Sequence, residues 1–183
     1  MIFQINYQTN KYDGYILKNR SIVNELNYKL FDDKEIDYFL KHYRYEDKFH
    51  SLSVYESEKW QEVAIKCDYL RLVILYELGG VYIDIDSIFY DGMLGLDYFL
   101  NKKFGNNNVV TENRSLFFIR GVKKSKYIKS LVDIYNNRNM LSYDTSMVSV
   151  KSFFNFRLGV RIIKQSTLDK YFYHKPHGDV IKL

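Results

Sequence analysis

The chain has 183 residues, of which 46% are hydrophobic and 17% aromatic, and 27 basic against 22 acidic side chains give a formal net charge of +5. This is enough apolar mass for one well-formed core and too little chain for two ordinary domains, so a single domain spanning 1–183 is expected. One proline, nine glycines and a high apolar content exclude collagenous, low-complexity and intrinsically disordered classes.

The lone Cys67 cannot close an internal disulfide and fits a reducing compartment. No apolar run approaches the roughly 18–20 residues of a membrane helix, and "MIFQINYQTNKYDG" has no basic region followed by an apolar one. No transmembrane segment and a cytoplasmic location are therefore expected. The modest positive charge suits an anionic ligand without requiring nucleic acid.

In chain order, "MIFQINY" alternates apolar with polar residues as a first strand does, and "YKLFDD" predicts a second that ends at Asp32-Asp33. Either aspartate would cap the helix "KEIDYFLKHY", in which Ile36, Phe39, Leu40 and Tyr43 recur at helical spacing. The stretch 44–58 has no clear period and reads as loop or short helix. A long helix is predicted from about Glu58 to Leu78, with Val63, Cys67, Leu70 and Ile74 on one stripe and Gly79-Gly80 as its stop. "VYIDID" then alternates strictly, Val81, Ile83 and Ile85 against Tyr82, Asp84 and Asp86. After the turn-rich "FGNNN", "VVTENRSLFFIR" predicts one or two buried strands. "KKSKYIKSLVDIYNNR" predicts a helix that faces Tyr127, Ile128, Leu131, Ile134 and Tyr135 inward. The stretch 141–183 carries no clear pattern. Strands alternating with helices argue for an α/β domain with a largely parallel sheet.

Two carboxylates at i and i+2 on a strand share a face, so Asp84 and Asp86 are placed to hold one divalent cation, alone or with a ligand's diphosphate. They stand at the carboxyl end of an apolar strand, where open α/β sheets bind ligands. The alternative is that they cap the following "SIFYDG" and meet solvent. Asp68 and Arg71, three apart on one helix face, read by themselves as an ordinary surface ion pair.

Taken together, "IKCDYLRLVILYELGGVYIDID" resembles the core signature of the Asp-x-Asp sugar transferases. This group, glycosyltransferase family 32, comprises yeast initiating α-1,6-mannosyltransferases and bacterial capsular polysaccharide transferases, with the large clostridial glucosylating toxins more distant. Asp68, Arg71, Gly79-Gly80, Tyr82, Asp84 and Asp86 fall in the order and spacing of that signature. The likeness extends over about 1–135.

The resemblance implies a GT-A fold, a Rossmann-like, mostly parallel sheet flanked by helices, on which a nucleotide sugar binds with Mn²⁺ or Mg²⁺ on its diphosphate. It implies that Asp86 binds the metal, Asp84 contacts the ribose and the metal shell, Asp68 and Arg71 hold sugar hydroxyls or nucleotide, and Tyr82 packs against the nucleotide. It further implies retention at the anomeric carbon and transfer of a hexose or N-acetylhexosamine, UDP-linked in preference to GDP-linked, to a glycan or protein acceptor, as in polysaccharide biosynthesis. Residues 1–135 would then bind the donor, and 136–183 would complete the acceptor and metal side.

The chain departs from the pattern at several points. The stacking Trp near the N-terminus is absent, which leaves Tyr7 as its substitute, and the one tryptophan, Trp60, lies elsewhere. "SYDTSMVSV" lacks the usual Gly-Pro, and "YHKPHG" offers His174 and His177 for a His-containing C-terminal motif, with His174 taken as the third metal ligand. Asn113 in "TENRSLFF" matches an asparagine near the sugar. Two other readings use parts of the same sequence. One is a haloacid-dehalogenase-like Asp-x-Asp phosphatase, although that family carries the motif on its first strand. The other is a basic, aromatic-rich nucleic-acid-binding module, supported by Lys102-Lys103 and the Lys123 to Lys126 cluster but by no RRM, KH or OB signature.

Overall fold

The computed structural model describes residues 1–9, 11–23, 27–54, 59–105, 109–112, 116–137, 140–141 and 160–174. β1 (Ile2–Asn6) leads into α1 (Asp13–Ile22), a helix the sequence pattern did not announce. β2 (Tyr28–Asp32) runs directly into α2 (Asp33–Tyr43), and the Asp32 carboxylate caps that helix by accepting the Glu35 N–H at 3.0 Å. The stretch of unclear period holds α3 (Glu46–Ser51) and β3 (Ser53–Val54). Then come α4 (Lys59–Leu78), β4 (Gly80–Ile83), β5 (Ser87–Phe89), a 3₁₀ turn over Asp91–Gly95 and α5 (Leu96–Phe104). β6 (Val109–Glu112), β7 (Phe118–Gly121), α6 (Lys126–Asn136), β8 (Met140–Leu141), β9 (Val160–Ile163), α7 (Gln165–Leu168) and β10 (Phe172–His174) complete the described elements.

The main sheet has the order β2-β1-β4-β7-β6-β9. β1 lies parallel to β2 and β4, and β6 parallel to β9, while β7 runs antiparallel to both of its neighbours. Five strands therefore point one way, giving the mostly parallel α/β architecture expected from the sequence and consistent with a GT-A fold. Strand alternation sends side chains to two cores. Phe3, Ile5, Tyr82 and Ile119 face α2, α4 and α6, meeting Ile36, Leu40, Leu70, Ile74, Ile128 and Leu131. Ile2, Val81, Ile83 and Phe118 face the opposite layer, meeting Leu96, Leu100, Phe89, Leu168 and Phe172.

α4 is buried on more than the predicted stripe. Ile65, Tyr69, Leu72, Val73 and Leu75 are as inaccessible as Leu70 and Ile74, whereas Val63 and Cys67 are only half-buried. α4 packs on α6 and β3 as well as on β4 and β7, which buries more of it than one stripe. On α6, Val132 joins Ile128, Leu131 and Tyr135 in the core, and the expected Tyr127 and Ile134 are half-buried at its edge.

The reversal from α4 into β4 depends on Gly79 and Gly80, at φ 70° and 114°. A Cβ on Gly80 would stand 2.5 Å from the Met1 carbonyl oxygen, and one on Gly79 would stand 2.8 Å from the Lys123 nitrogen. The same Met1 oxygen accepts the Val81 N–H at 2.9 Å, so the backbone cannot withdraw to make room without losing a sheet bond. Replacing Gly80 with alanine should therefore cost about 1–3 kcal/mol of folding stability, read from urea denaturation, whereas Gly95→Ala, where the added carbon meets open space, should be nearly neutral.

Candidate functional site

The sequence alternation runs through Asp86, but the strand ends at Ile83. The Asp84 N–H still donates to the Phe117 carbonyl at 2.9 Å, whereas the Asp84 carbonyl accepts the Ser87 N–H at 3.1 Å and the Gln4 Nε2–H at 2.8 Å. Committing that carbonyl to a turn ends the ladder. Asp84 and Asp86 therefore approach each other across a tight turn at the carboxyl end of β4, not as pleated neighbours on one strand face.

The partner that completes this turn comes from far along the chain. β10 pairs antiparallel with β5 and sets His174 opposite Ser87. His174 Nδ1 lies 3.2 Å from Asp86 Oδ1 and 3.2 Å from Ser87 Oγ, and its ring stacks on Phe117 at 4.1 Å with a 3° interplanar angle. Asp84, Asp86 and His174 can each offer a ligand atom within 4.8 Å of the others. Burial alone would lower the His174 pKa, but Asp86, Asp84 and Glu112 outweigh it and raise it.

This set fits a divalent cation. Asp86 Oδ1 is buried, and the group set against it among the described residues is the His174 ring, with Nδ1 at 3.2 Å. A buried carboxylate oxygen is costly unless a cation or proton faces it. Two carboxylates and one imidazole form a mixed oxygen and nitrogen donor set of the kind that holds a divalent metal.

Behind the turn, Asp68 and Arg71 are 5% and 7% exposed, so they do not form the surface ion pair that their spacing alone suggested. One turn of α4 carries both into the protein beneath Asp84. Arg71 reaches Asp68 Oδ1 at 3.1 Å and Asp84 Oδ1 at 3.1 Å, and donates to the carbonyls of Leu116 at 2.8 Å and Cys67 at 3.3 Å. Its guanidinium also lies 4.5 Å from the centre of the Tyr82 ring, whose hydroxyl donates to Asp84 Oδ1 at 2.6 Å. Both contacts to Asp84, from Arg71 and from Tyr82, fall on its Oδ1. Tyr82 is 2% exposed and packs on Phe3, so its ring presents no open face and bears on the site through Asp84 and Arg71.

Tyr7 follows β1 at the same end of the sheet. It meets Phe49 edge-on at 5.4 Å, and its hydroxyl accepts from Gln8 Nε2 at 2.9 Å. With Asp33, Ile36, Leu40 and His50 it lines a cavity of about 380 Å³. Asn113 and His177 lie outside the described residues. Three features lie outside the residues that the sequence motif marks. Tyr12, at the start of α1, is near enough to Asp86 and Asp84 that they join burial in raising its pKa. Glu112, buried at the end of β6, is raised by burial, with His174 pulling the other way. Gln4 and Asn19 supply the polar support of the turn.

Burial raises the Asp68 carboxyl from 3.8 to about 6, against the pull of Arg71 and with a push from Asp84. A folded pKa above the unfolded one means that this group's contribution to stability is fully present below about pH 4 and is lost as pH rises through about 6. The stability of the unsubstituted chain relative to Asp68→Asn should therefore fall as pH is raised from about 4 to about 7, followed by urea denaturation at stepped pH. A pH-independent difference would show that Asp68 titrates normally.

A sequence model of the family described as "Glycosyltransferase sugar-binding region containing DXD motif" matches residues 6–116, more than half of the chain. Among solved structures, one titled "PaToxG Glycosyltransferase" is similar over 74% of this chain and 59% of that one, with a TM-score of 0.45 and 15% identity. The chain thus spans about three fifths of that structure's length. No curated protein matches it. The matched segment contains the buried Asp68–Arg71 pair and the Asp84–Asp86 turn, and the chain belongs to the family of glycosyltransferase sugar-binding regions containing a DXD motif.

Proposed function

We propose that the chain is a metal-dependent, retaining glycosyltransferase, its residues forming one GT-A-type catalytic domain. It moves a hexose or N-acetylhexosamine from a nucleotide diphosphate sugar, UDP-linked in preference to GDP-linked, to a glycan or protein acceptor. The observation that carries this reading is the cluster of Asp84, Asp86 and His174 at the carboxyl end of β4, two carboxylates and an imidazole within reach of one cation.

Asp86 and His174 would hold Mn²⁺ directly, with Asp84 sharing the metal shell and reaching the ribose. When bound, the ion supplies electrostatic stabilisation of the diphosphate as charge builds on it. Arg71 and Tyr82 occupy Oδ1 of Asp84 and so hold its other oxygen toward the ligand side. Asp68 fixes Arg71, and the sugar or nucleotide hydroxyls meet this pair only at its edge, since both are buried. Asn113, next to Glu112 in sequence, is the proposed sugar contact.

The cavity beside Tyr7 is large enough for a nucleobase, and the Tyr7 ring offers the apolar platform there. The acceptor hydroxyl attacks the anomeric carbon on the face from which the diphosphate departs. The bond from that carbon to the diphosphate oxygen breaks, the bond to the acceptor oxygen forms, and the acceptor proton passes to the departing phosphate. Among the described residues the carboxylates at the turn are committed to the cation set or to Arg71, so none is assigned as a covalent nucleophile. The same commitment of Asp84 to Tyr82 and Arg71 counts against the phosphatase reading, in which that carboxylate would attack phosphorus.

Incubation with a panel of UDP- and GDP-sugars should release nucleoside diphosphate from one donor with Mn²⁺ present and not with EDTA. Asp86→Asn should abolish that release. No release together with no Mn²⁺-linked nucleotide binding would overturn the reading. Tyr7→Ala should raise the KM for that donor about tenfold with little change in kcat, the expected loss of one stacking contact worth about 1–3 kcal/mol.

A further inference from the structure

Gln4 lies in the middle of β1 and Asn19 on α1, and neither has any solvent exposure. Two fully buried amides are expensive unless their donors and acceptors are paired. Gln4 Nε2 donates to the Asp84 carbonyl at 2.8 Å, and Gln4 Oε1 accepts from Asn19 Nδ2 at 3.0 Å and from the Tyr28 hydroxyl at 2.8 Å. Asn19 Nδ2 donates again to the Ser87 carbonyl at 2.9 Å, and Asn19 Oδ1 accepts the Phe89 N–H at 2.8 Å. Both acceptor positions of Gln4 and both donors of Asn19 are thus used.

What these bonds hold is specific. They grip the backbone on either side of Asp86, at Asp84 before it and at Ser87 and Phe89 after it. The same segment is also held by the Asp84 N–H, which donates to the Phe117 carbonyl, by the turn itself and by the pairing of β5 with β10. No carboxylate or imidazole takes part, so the network touches neither cation nor substrate.

Resting on the function proposed above, we infer that Gln4, Asn19 and Tyr28 are positioning residues that fix the spacing between the Asp84 and Asp86 carboxylates for the divalent cation. Losing a group outside the ligand set that orients it typically lowers metal affinity by about 10- to 100-fold. Without the bond to Gln4 the Asp84 carbonyl keeps only the Ser87 N–H, and the turn can open. A network that merely filled the core would lower stability and leave cation binding unchanged.

The test is a titration of the full chain with Mn²⁺ alone and then with UDP added, in which free Mn²⁺ is followed by its EPR signal, alongside thermal unfolding in EDTA. Gln4→Met, which keeps the volume and removes the amide, should bind Mn²⁺ about 10- to 100-fold more weakly than the unsubstituted chain. Tyr28→Phe leaves the Gln4–Asp84 bond in place and should show a smaller loss. Unchanged Mn²⁺ affinity in Gln4→Met overturns the inference, whatever happens to its unfolding temperature. If Gln4→Met does not fold, unchanged affinity in Tyr28→Phe overturns it instead. Asp86→Asn separates the two levels. If it binds Mn²⁺ as the unsubstituted chain does, or if neither binds, the metal reading falls and this inference with it. If Asp86→Asn loses the ion and Gln4→Met keeps it, only the positioning role falls.

Discussion

One guanidinium, that of Arg71, makes the rest of this site possible. It is buried where α4 meets the carboxyl end of β4, between Asp68 and Asp84 and against the Tyr82 ring. Two carboxylates so close together in a low-dielectric setting repel each other and lose hydration, and a fixed positive charge between them counters part of both. A lysine could neutralise but not replace it, because the planar fork reaches two acids and the Leu116 and Cys67 carbonyls at once. The Leu116 bond extends the same centre to the segment entering β7, so the helix, the central strand and its antiparallel neighbour share one electrostatic anchor.

From that anchor the two aspartates of the motif diverge in character. Asp84 is bound inward through one oxygen to groups from the α4 side of the sheet. Asp86 turns toward His174 on the opposite layer. A motif that is symmetrical in sequence is thus asymmetrical in space, one member held from the α4 side by Arg71 and Tyr82 and the other facing His174 of β10. The turn that separates them produces this difference, since a continued strand would have sent both side chains to the same layer.

Much of the scaffold was legible because its signals are local. Asp32 caps α2, Gly79-Gly80 stops α4, and the alternation of Val81 to Ile83 marks the central strand. The motif residues were legible through their fixed spacing, which identifies them without showing where they sit. What spacing could not supply was burial: Asp68 and Arg71 look like an exposed i,i+3 pair until the layer covering α4 is known. α1 escaped notice because "DGYILKNRSI" contains Gly14 and a polar Asn19 where an apolar residue is expected. That misplaced polarity is the sign of Asn19's role, for an amide on an inward helix position must have a buried partner. Tyr12 and Glu112 could not be found at all, because their proximity to the turn is purely tertiary.

The pairing of β10 with β5 has a temporal consequence. Ser87 and His174 are 87 residues apart in sequence, and the strand that joins them is only three residues long. Closing so long a loop costs chain entropy that three residues of ladder cannot repay until the sheet and its second layer are already in place. The imidazole therefore joins the site through a contact that the local chain around the aspartates does not hold in place. A chain emerging from the ribosome as far as β7 holds both aspartates and Arg71 but lacks the histidine, and the complete set of three ligand groups exists only in a chain that has finished folding.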